Sequence, residues 1–140
     1  MDQIVLYTNV LVAAMRSRQG ASYRLLSLLG DGRWRPNVTV AVVLEYESVL
    51  KLNVSNWVLA EQRWMMLLTR SAPRPDCIAC IFYGGRWHPI LMDYLILEAA
   101  IASRSDFIIT FNQRHFSNSL RFGIRCLTPQ EFLILLQELA

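Results

Sequence analysis

Short apolar runs that alternate with helix-like stretches constrain the fold of this chain most. The run "IVL" at residues 4–6 leads into "YTNV", where Asn9 can cap a helix over residues 10–15. Further strands are predicted at residues 38–40, 77–83, 106–110 and 123–127. Alternating strands and helices predict an α/β fold, with three α/β/α layers around a mainly parallel sheet. At 140 residues, the chain is expected to form a single domain over 1–140.

The stretches between the strands have the spacing of amphipathic helices. Such helices are predicted over residues 21–29, 42–52 and 55–69, from about Asp93 onward, and from Pro129 to near the end of the chain. The last helix has the clearest start, because Thr128 is followed three residues later by Glu131, as in a capping box.

Polar side chains follow several of the predicted strands. In a parallel sheet, the edge where strands end and helices begin is the usual place for a functional site. Carboxylate and amide oxygens that meet there would bind Mg²⁺ or Mn²⁺, which can activate a water against a phosphodiester. The candidates are Tyr7, Thr8 and Asn9 after the first strand, Thr110, Asn112 and His115 after the strand at 106–110, and Glu45 and Asp93 near helix starts.

The positive charge of the chain is carried almost wholly by arginine. The net charge is +3, and Lys51 is the single lysine among 14 basic residues. Arginine binds phosphate oxygens in two-point contacts, so the composition is compatible with a nucleic-acid partner. A GC-rich codon usage explains the same excess equally well, so the charge by itself does not indicate nucleic-acid binding.

Apolar residues are unusually frequent. They make up 54% of the chain, and the mean hydropathy is +0.28. A sheet covered on both faces explains this excess, and so does a surface buried against a partner, so we expect a homodimer. No apolar stretch reaches the roughly 18 residues of a membrane span, and the N-terminus lacks the basic start of a signal peptide. We therefore predict a cytoplasmic protein without a membrane segment.

The cysteines give a weaker signal. Cys77 and Cys80 form a C-x-x-C pair, and Cys126 stands apart from them. A structural zinc site needs four ligands, and the sequence has no second pair at a suitable spacing. Core cysteines are therefore favoured over a metal or redox site.

Several stretches, taken in order, resemble the PIN-domain family, and more narrowly the VapC-like toxins of bacterial toxin–antitoxin systems. They are "IVLYTNVLVAAMRSRQGASYRLLSLL", "VLEYESVLK", "LILEAAIASRSDFIITFNQRHF" and "GIRCLTPQEFL". The resemblance covers nearly the whole chain apart from residues 53–90. It implies an endonuclease of single-stranded RNA that depends on Mg²⁺ or Mn²⁺ and is inhibited by a cognate antitoxin.

The resemblance also places the site residues. The family has Asp, then Thr or Ser, then Asn after its first strand, and this chain has Tyr7 in place of that Asp, while Thr8 and Asn9 match. The second acid of the family falls on Glu45. The third falls within "MDY", where Tyr94 takes the most usual ligand position and Asp93 stands beside it.

The remaining family position falls on Asn112, where relatives accept Asp or Asn, and His115 stands where relatives of this subgroup often have Asp. A phenol is neutral at pH 7 because its ordinary pKa is about 10, so tyrosine is a poor Mg²⁺ ligand. The resemblance thus leaves Glu45, Asp93 and Asn112 as metal ligands, with Tyr7 and Tyr94 as vacated acidic positions. It assigns Thr8 and Asn9 the role of orienting the metal ligands and the substrate.

Three interpretations of Tyr7 stay open. It can be a disarming change, natural or introduced, in a nuclease that harms its host. It can mark a PIN-like fold that now binds RNA or a protein partner without cutting. It can belong to an active but rearranged site. We favour an impaired nuclease and expect RNA-phosphate contacts at Arg16, Arg18 and Arg114.

Overall fold

Four short parallel strands form the sheet. The computed structural model describes residues 2–29, 31–39, 42–43, 45–46 and 89–139, without the side chains of 89–92 and 138–139. Within these residues the strands are β1 (Asp2–Leu6), β2 (Trp34–Pro36), β3 (Phe107–Ile109) and β4 (Arg125–Leu127). Their order is β2-β1-β3-β4, and each neighbouring pair is parallel. The predicted α/β class with a parallel sheet is confirmed.

The second strand lies earlier in the chain than predicted. Residues 38–39 are not in a strand, and β2 pairs with β1 through Trp34 beside Asp2 and Pro36 beside Ile4. Proline is tolerated there because β2 is an edge strand. The Thr39 hydroxyl instead accepts a bond of 3.3 Å from the Val42 amide, which begins the helical segment that includes residues 42–43 and 45–46. The predicted strand at 77–83, the predicted helix at 55–69, and Cys77 and Cys80 lie outside the described residues.

The described helices follow the predicted order. They are α1 (Thr8–Arg16), α2 (Ala21–Ser27), α3 (Pro89–Ala102) and α4 (Pro129–Leu139), with short 3₁₀ helices at Gln113–Phe116 and Ser119–Phe122. None of the helices in the described part of the chain is both long enough and apolar enough to cross a membrane.

Two helix starts differ from the prediction. Helix α1 begins at Thr8, with Tyr7 at its N-cap, so Asn9 lies in the first turn and does not cap the helix. Helix α3 already includes Pro89, where the described residues resume, so it does not begin near Asp93. Asp93 therefore lies inside α3 rather than at its start.

The sheet carries the centre of the core. Ile4, Val5 and Leu6 of β1 are buried, as are Ile108 and Ile109 of β3. Helix α4 packs on the sheet through Phe132, whose ring centroid is 6.4 Å from that of Trp34 and 5.5 Å from that of Phe107. Helix α3 packs on β1 and β3, while α2 contacts both α1 and α4. Since β1 is flanked on both sides, the residues that follow it lie centrally at the carboxyl edge of the sheet.

The start of α4 is tied to the loop that follows β3. The predicted capping box is present, because the Glu131 amide donates to the Thr128 hydroxyl at 3.3 Å and the Thr128 amide donates to Glu131 Oε2 at 3.0 Å. The same carboxylate oxygen accepts a bond of 3.0 Å from Gln113 Nε2. Gln113 Nε2 also donates to the Cys126 carbonyl at 3.2 Å, which fixes the first 3₁₀ helix against β4.

Candidate functional site

Tyr7 and Asp93 meet at the carboxyl edge of the sheet. The Tyr7 hydroxyl donates a hydrogen bond of 2.8 Å to Asp93 Oδ1, joining the end of β1 to α3 across 86 residues of sequence. The Tyr7 ring is buried and packs edge-to-face on Phe116, with ring centroids 5.8 Å apart. The backbone amide of Tyr7 donates to the Ile109 carbonyl at 2.9 Å. Both the backbone and the ring of Tyr7 are therefore held in place.

His115 binds the other oxygen of the same carboxylate. His115 Nδ1 lies 3.0 Å from Asp93 Oδ2, and a ring N–H is the donor because an ionised carboxylate only accepts. The side chain of His115 is 50% exposed, whereas that of Asp93 is 20% exposed. Each oxygen of Asp93 thus has a donor of its own, one from β1 and one from the loop after β3.

Glu45 reaches the site through its neighbour in the sequence. The buried Tyr46 hydroxyl donates to the Leu6 carbonyl at the end of β1, and this bond holds the helical segment against the strand that precedes Tyr7. The half-buried Glu45 carboxyl has a raised pKa because burial disfavours its charged form. Glu45 also lies close enough to Tyr7 for its charge to raise the pKa of the phenol.

The phenol of Tyr7 is strongly held in its neutral form. Its pKa lies well above the ordinary value of 10, first because of burial, then because of the hydrogen bond to Asp93, and then because of the charges of Asp93 and Glu45. A phenolate would face two carboxylates at short range. Tyr7 is therefore a hydrogen-bond donor at this site and not an anionic ligand.

A second set of bonds links the ends of β1 and β3 through Thr110. The fully buried Thr110 hydroxyl accepts from Asn9 Nδ2 at 3.4 Å and from the Asn112 amide at 3.0 Å. Asn9 Oδ1 is buried and has no hydrogen-bond partner among the described residues. Thr8 is buried in the first turn of α1, next to these groups in sequence. Thr8 and Asn9 thus lie at the edge where the sequence places them.

The other predicted site residues lie further out. Tyr94 is 66% exposed, and it leaves α3 in a different direction from Asp93 because neighbouring helical residues are about 100° apart. The Asn112 side chain is exposed, and in the described part of the chain no hydrogen bond joins it to Asp93 or Glu45. The arginines predicted to contact RNA are all exposed, at the end of α1 and beside His115; they are Arg16, Arg18 and Arg114.

A resident Mg²⁺ or Mn²⁺ does not fit this donor set as it stands. Both oxygens of Asp93 are engaged by donors, and burial raises the pKa of the Glu45 carboxyl. The phenol of Tyr7 stays neutral. Across residues 2–29, 31–39, 42–43, 45–46 and 89–139, no three His, Cys, Asp or Glu side chains come together as a metal-binding group. A hard cation that takes about six oxygen ligands has too few free donors here.

The sequence does not indicate the contacts of three contributors to the site. Tyr46 follows Glu45 directly, and a tyrosine at a buried helical position usually has a hydrogen-bond partner for its hydroxyl. Thr110 is among the candidates at the strand ends, but no sequence signal shows that its hydroxyl links Asn9 and Asn112. Phe116 reads as an ordinary core residue, and no sequence signal connects it to Tyr7. Cys126 is a free, half-buried cysteine in β4, near the Ser119 hydroxyl at 3.3 Å.

Comparison with known proteins agrees with this architecture. A family model described as "PIN domain" matches residues 3–114, which is most of the chain. The match spans β1, β2, α3 and β3, together with Tyr7, Glu45 and Asp93. Neither curated proteins nor solved structures gave a match. On the extent of the family match and the parallel α/β sheet, the chain belongs to the PIN-domain family.

Proposed function

We propose that this chain is a toxin-type PIN protein, descended from a metal-dependent endonuclease of single-stranded RNA, whose cleavage activity is impaired. PIN membership suggests a nuclease-like function, and the VapC-like resemblance of the sequence supports the toxin type. The observation that carries the impairment is the bond of 2.8 Å from the Tyr7 hydroxyl to Asp93, at the position where the family has an acid.

The proposal gives the remaining residues restricted roles. Glu45 and Asp93 keep the carboxylates of a nuclease site, and Asn112 lies at its rim. Thr8 and Asn9 orient groups at the sheet edge, where the Asn9 carboxamide is fixed on Thr110. Substrate RNA would contact this edge through exposed arginine side chains, since its phosphates attract basic groups. Those arginines are Arg16, Arg18 and Arg114.

The partners of the proposed toxin follow from the same assignment. We propose a cognate antitoxin as protein partner, a cytoplasmic location and a homodimer. Exposed apolar side chains in the loop after β3 support the homodimer; they are Phe111, Leu120 and Phe122. The neighbouring reading frame tests the toxin–antitoxin assignment, because a small antitoxin-like gene directly upstream is expected. An isolated gene without such a neighbour would contradict it.

RNA cleavage tests the nuclease part. The wild-type chain, Tyr7→Asp, and Tyr7→Asp with Tyr94→Asp are compared on single-stranded RNA with Mn²⁺, after circular dichroism shows that each is folded. The Tyr7→Asp variants are expected to cut faster than the wild type, because they return an acid to the end of β1. A wild-type chain that cuts as fast as both variants would refute the impairment. Variants that bind Mn²⁺ but leave RNA intact would refute the nuclease ancestry.

One observation favours a second candidate, a PIN fold that binds RNA or protein without cutting. Each oxygen of the Asp93 carboxylate already has a hydrogen-bond donor from the protein, without a cation. Binding of a fluorescent single-stranded RNA in the presence of EDTA distinguishes the two. Tight binding with no cleavage by any Tyr7 variant would support the binding module over the impaired nuclease.

A further inference from the structure

Two donors from separate parts of the fold hold one carboxylate. Tyr7 at the end of β1 donates to Asp93 Oδ1 at 2.8 Å, and His115 in the first 3₁₀ helix lies 3.0 Å from Asp93 Oδ2. A carboxylate that is mostly withdrawn from water needs such partners, since an unpaired charge is costly to bury. Hydrogen bonds to a charged group are also among the strongest in proteins.

Both donors are fixed by contacts of their own. The Tyr7 ring packs on Phe116, and its backbone amide is bonded to Ile109. The backbone amide of His115 donates to the Asn112 carbonyl at 3.1 Å, and the neighbouring Gln113 is bonded to β4 and α4. The arrangement is therefore built into the fold rather than made by two loose surface side chains.

We propose that Tyr7 and His115 together form a hydrogen-bonded substitute for a divalent cation at Asp93, with His115 as a positioning residue. Each donor binds one oxygen of the carboxylate, and together they take the place that an ion and its water ligands would occupy. Metal binding is thus opposed at two points. The phenol of Tyr7 occupies an acidic position, and the imidazole of His115 occupies the second oxygen of Asp93. This inference rests on the proposed function only in taking these two positions as former acidic ones.

The two donors differ in how firmly they exclude a cation. The Tyr7 ring is buried and cannot leave without opening the core. The His115 side chain is 50% exposed and can turn into solvent once a cation competes for Asp93. A hydrogen bond to a charged group corresponds to roughly 10–100-fold in an equilibrium constant. The bond from His115 to Asp93 should lower the affinity of the site for a cation by about this factor.

Calorimetric titration with Mn²⁺ tests this on the full-length chain. The set is the wild type, Tyr7→Asp, Tyr7→Asp with His115→Ala, and Tyr7→Asp with His115→Asp. His115→Ala removes the donor without adding an acid, so any gain in Mn²⁺ affinity comes from freeing Asp93. His115→Asp also adds a carboxylate ligand. Tyr7→Asp with Ile101→Ala is the matched control, because Ile101 is exposed on the same helix as Asp93 and does not belong to the site.

The wild type is expected to show no saturable Mn²⁺ binding. Tyr7→Asp should bind, and adding His115→Ala should tighten binding about tenfold or more, whereas adding Ile101→Ala should not. Equal affinities of Tyr7→Asp with and without His115→Ala would overturn the role of His115. Saturable Mn²⁺ binding by the wild type would overturn the substitute as a whole.

A second measurement does not depend on the Tyr7→Asp variants folding. The chain has two histidines, so a His88→Gln background leaves one imidazole to observe by nitrogen-15 NMR. In this background, Tyr7→Phe should shift the His115 ring signals, because Asp93 loses one donor and binds the other more strongly. Ring signals that stay unchanged in Tyr7→Phe would overturn the coupling of the two donors.

These outcomes are distinct from those of the proposed function. Mn²⁺ binding that rises with removal of His115, but without RNA cleavage, would support the substitute and refute the nuclease ancestry. RNA cleavage by a wild-type chain that binds Mn²⁺ saturably would refute the substitute and support the nuclease ancestry.

Discussion

Replacing Tyr7 by phenylalanine removes one hydroxyl and leaves the aromatic ring. The ring keeps its edge-to-face contact with Phe116, so the core stays filled. The lost interaction is the bond of 2.8 Å to Asp93 Oδ1. Asp93 then retains His115 as donor, while its first oxygen faces the apolar edge of the new ring.

The expected loss follows from the surroundings of that carboxylate. A hydrogen bond to a charged group contributes about 1.5–3 kcal/mol to stability. Asp93 is 20% exposed, so water can replace part of the lost bond and the lower half of that range applies. We expect Tyr7→Phe to lower the free energy of unfolding by about 1.5–2 kcal/mol. For a chain of this length the melting temperature should fall by roughly 3–8 °C.

Urea unfolding at pH 7, followed by circular dichroism, measures this loss. Tyr94→Phe is the control, because it removes a hydroxyl from a tyrosine that is 66% exposed, and its effect should stay within about 0.5 kcal/mol. A Tyr7→Phe variant as stable as the wild type, or an equal loss in the two variants, would refute a stabilising bond from Tyr7 to Asp93.

Further predictions concern the supports of the site. Tyr46→Phe should destabilise by about 1–3 kcal/mol in urea, because the buried Leu6 carbonyl loses its side-chain donor. Thr110→Val should cost a similar amount, about 1–3 kcal/mol, since the Asn9 carboxamide and the Asn112 amide lose an acceptor. Burial raises the pKa of Glu45 above its ordinary value of 4.5. The contribution of Glu45 to the free energy of folding is therefore most favourable below about pH 4.5, and this contribution is lost as pH rises through the pKa of the folded state. Glu45→Gln should therefore be more stable than the wild type at pH 7 and no more stable below pH 4.5, as thermal melts across pH would show. The melting temperature of the wild type should not change with Mg²⁺ or EDTA, and a rise with Mg²⁺ would contradict the donor set described above.

The architecture was largely predictable because its signals are local. Apolar runs at residues 4–6 and 106–110 could be recognised as buried strands, and the capping box at Thr128 and Glu131 fixed the start of the last helix. The errors came where tertiary contacts override local preference. Pro36 reads as a break in a strand, yet β2 tolerates it at the edge of the sheet. Asn9 reads as a cap, yet its side chain is turned to Thr110 across the sheet edge.

The residues of the site were predictable, but their pairing was not. Tyr7, Glu45 and Asp93 stood out as polar groups at strand ends or helix starts. Their contacts depend on which face of α3 packs against β1, and the sequence does not show that Asp93 rather than Tyr94 lies on that face. The bond from His115 to Asp93 spans two elements joined only through the tertiary fold, so no spacing in the sequence indicates it.

The shared carboxylate of Glu131 has a consequence for how changes reach the site. It anchors the start of α4 and, through Gln113, the loop that carries His115. Both Glu131 and His115 lie beyond residue 114, where the PIN family match ends. A substitution of Glu131 would therefore loosen the loop that carries His115, although every residue that contacts Asp93 stays the same. The start of α4 thereby supports the position of His115 through Gln113, although Glu131 itself makes no hydrogen bond to Asp93 among the described residues.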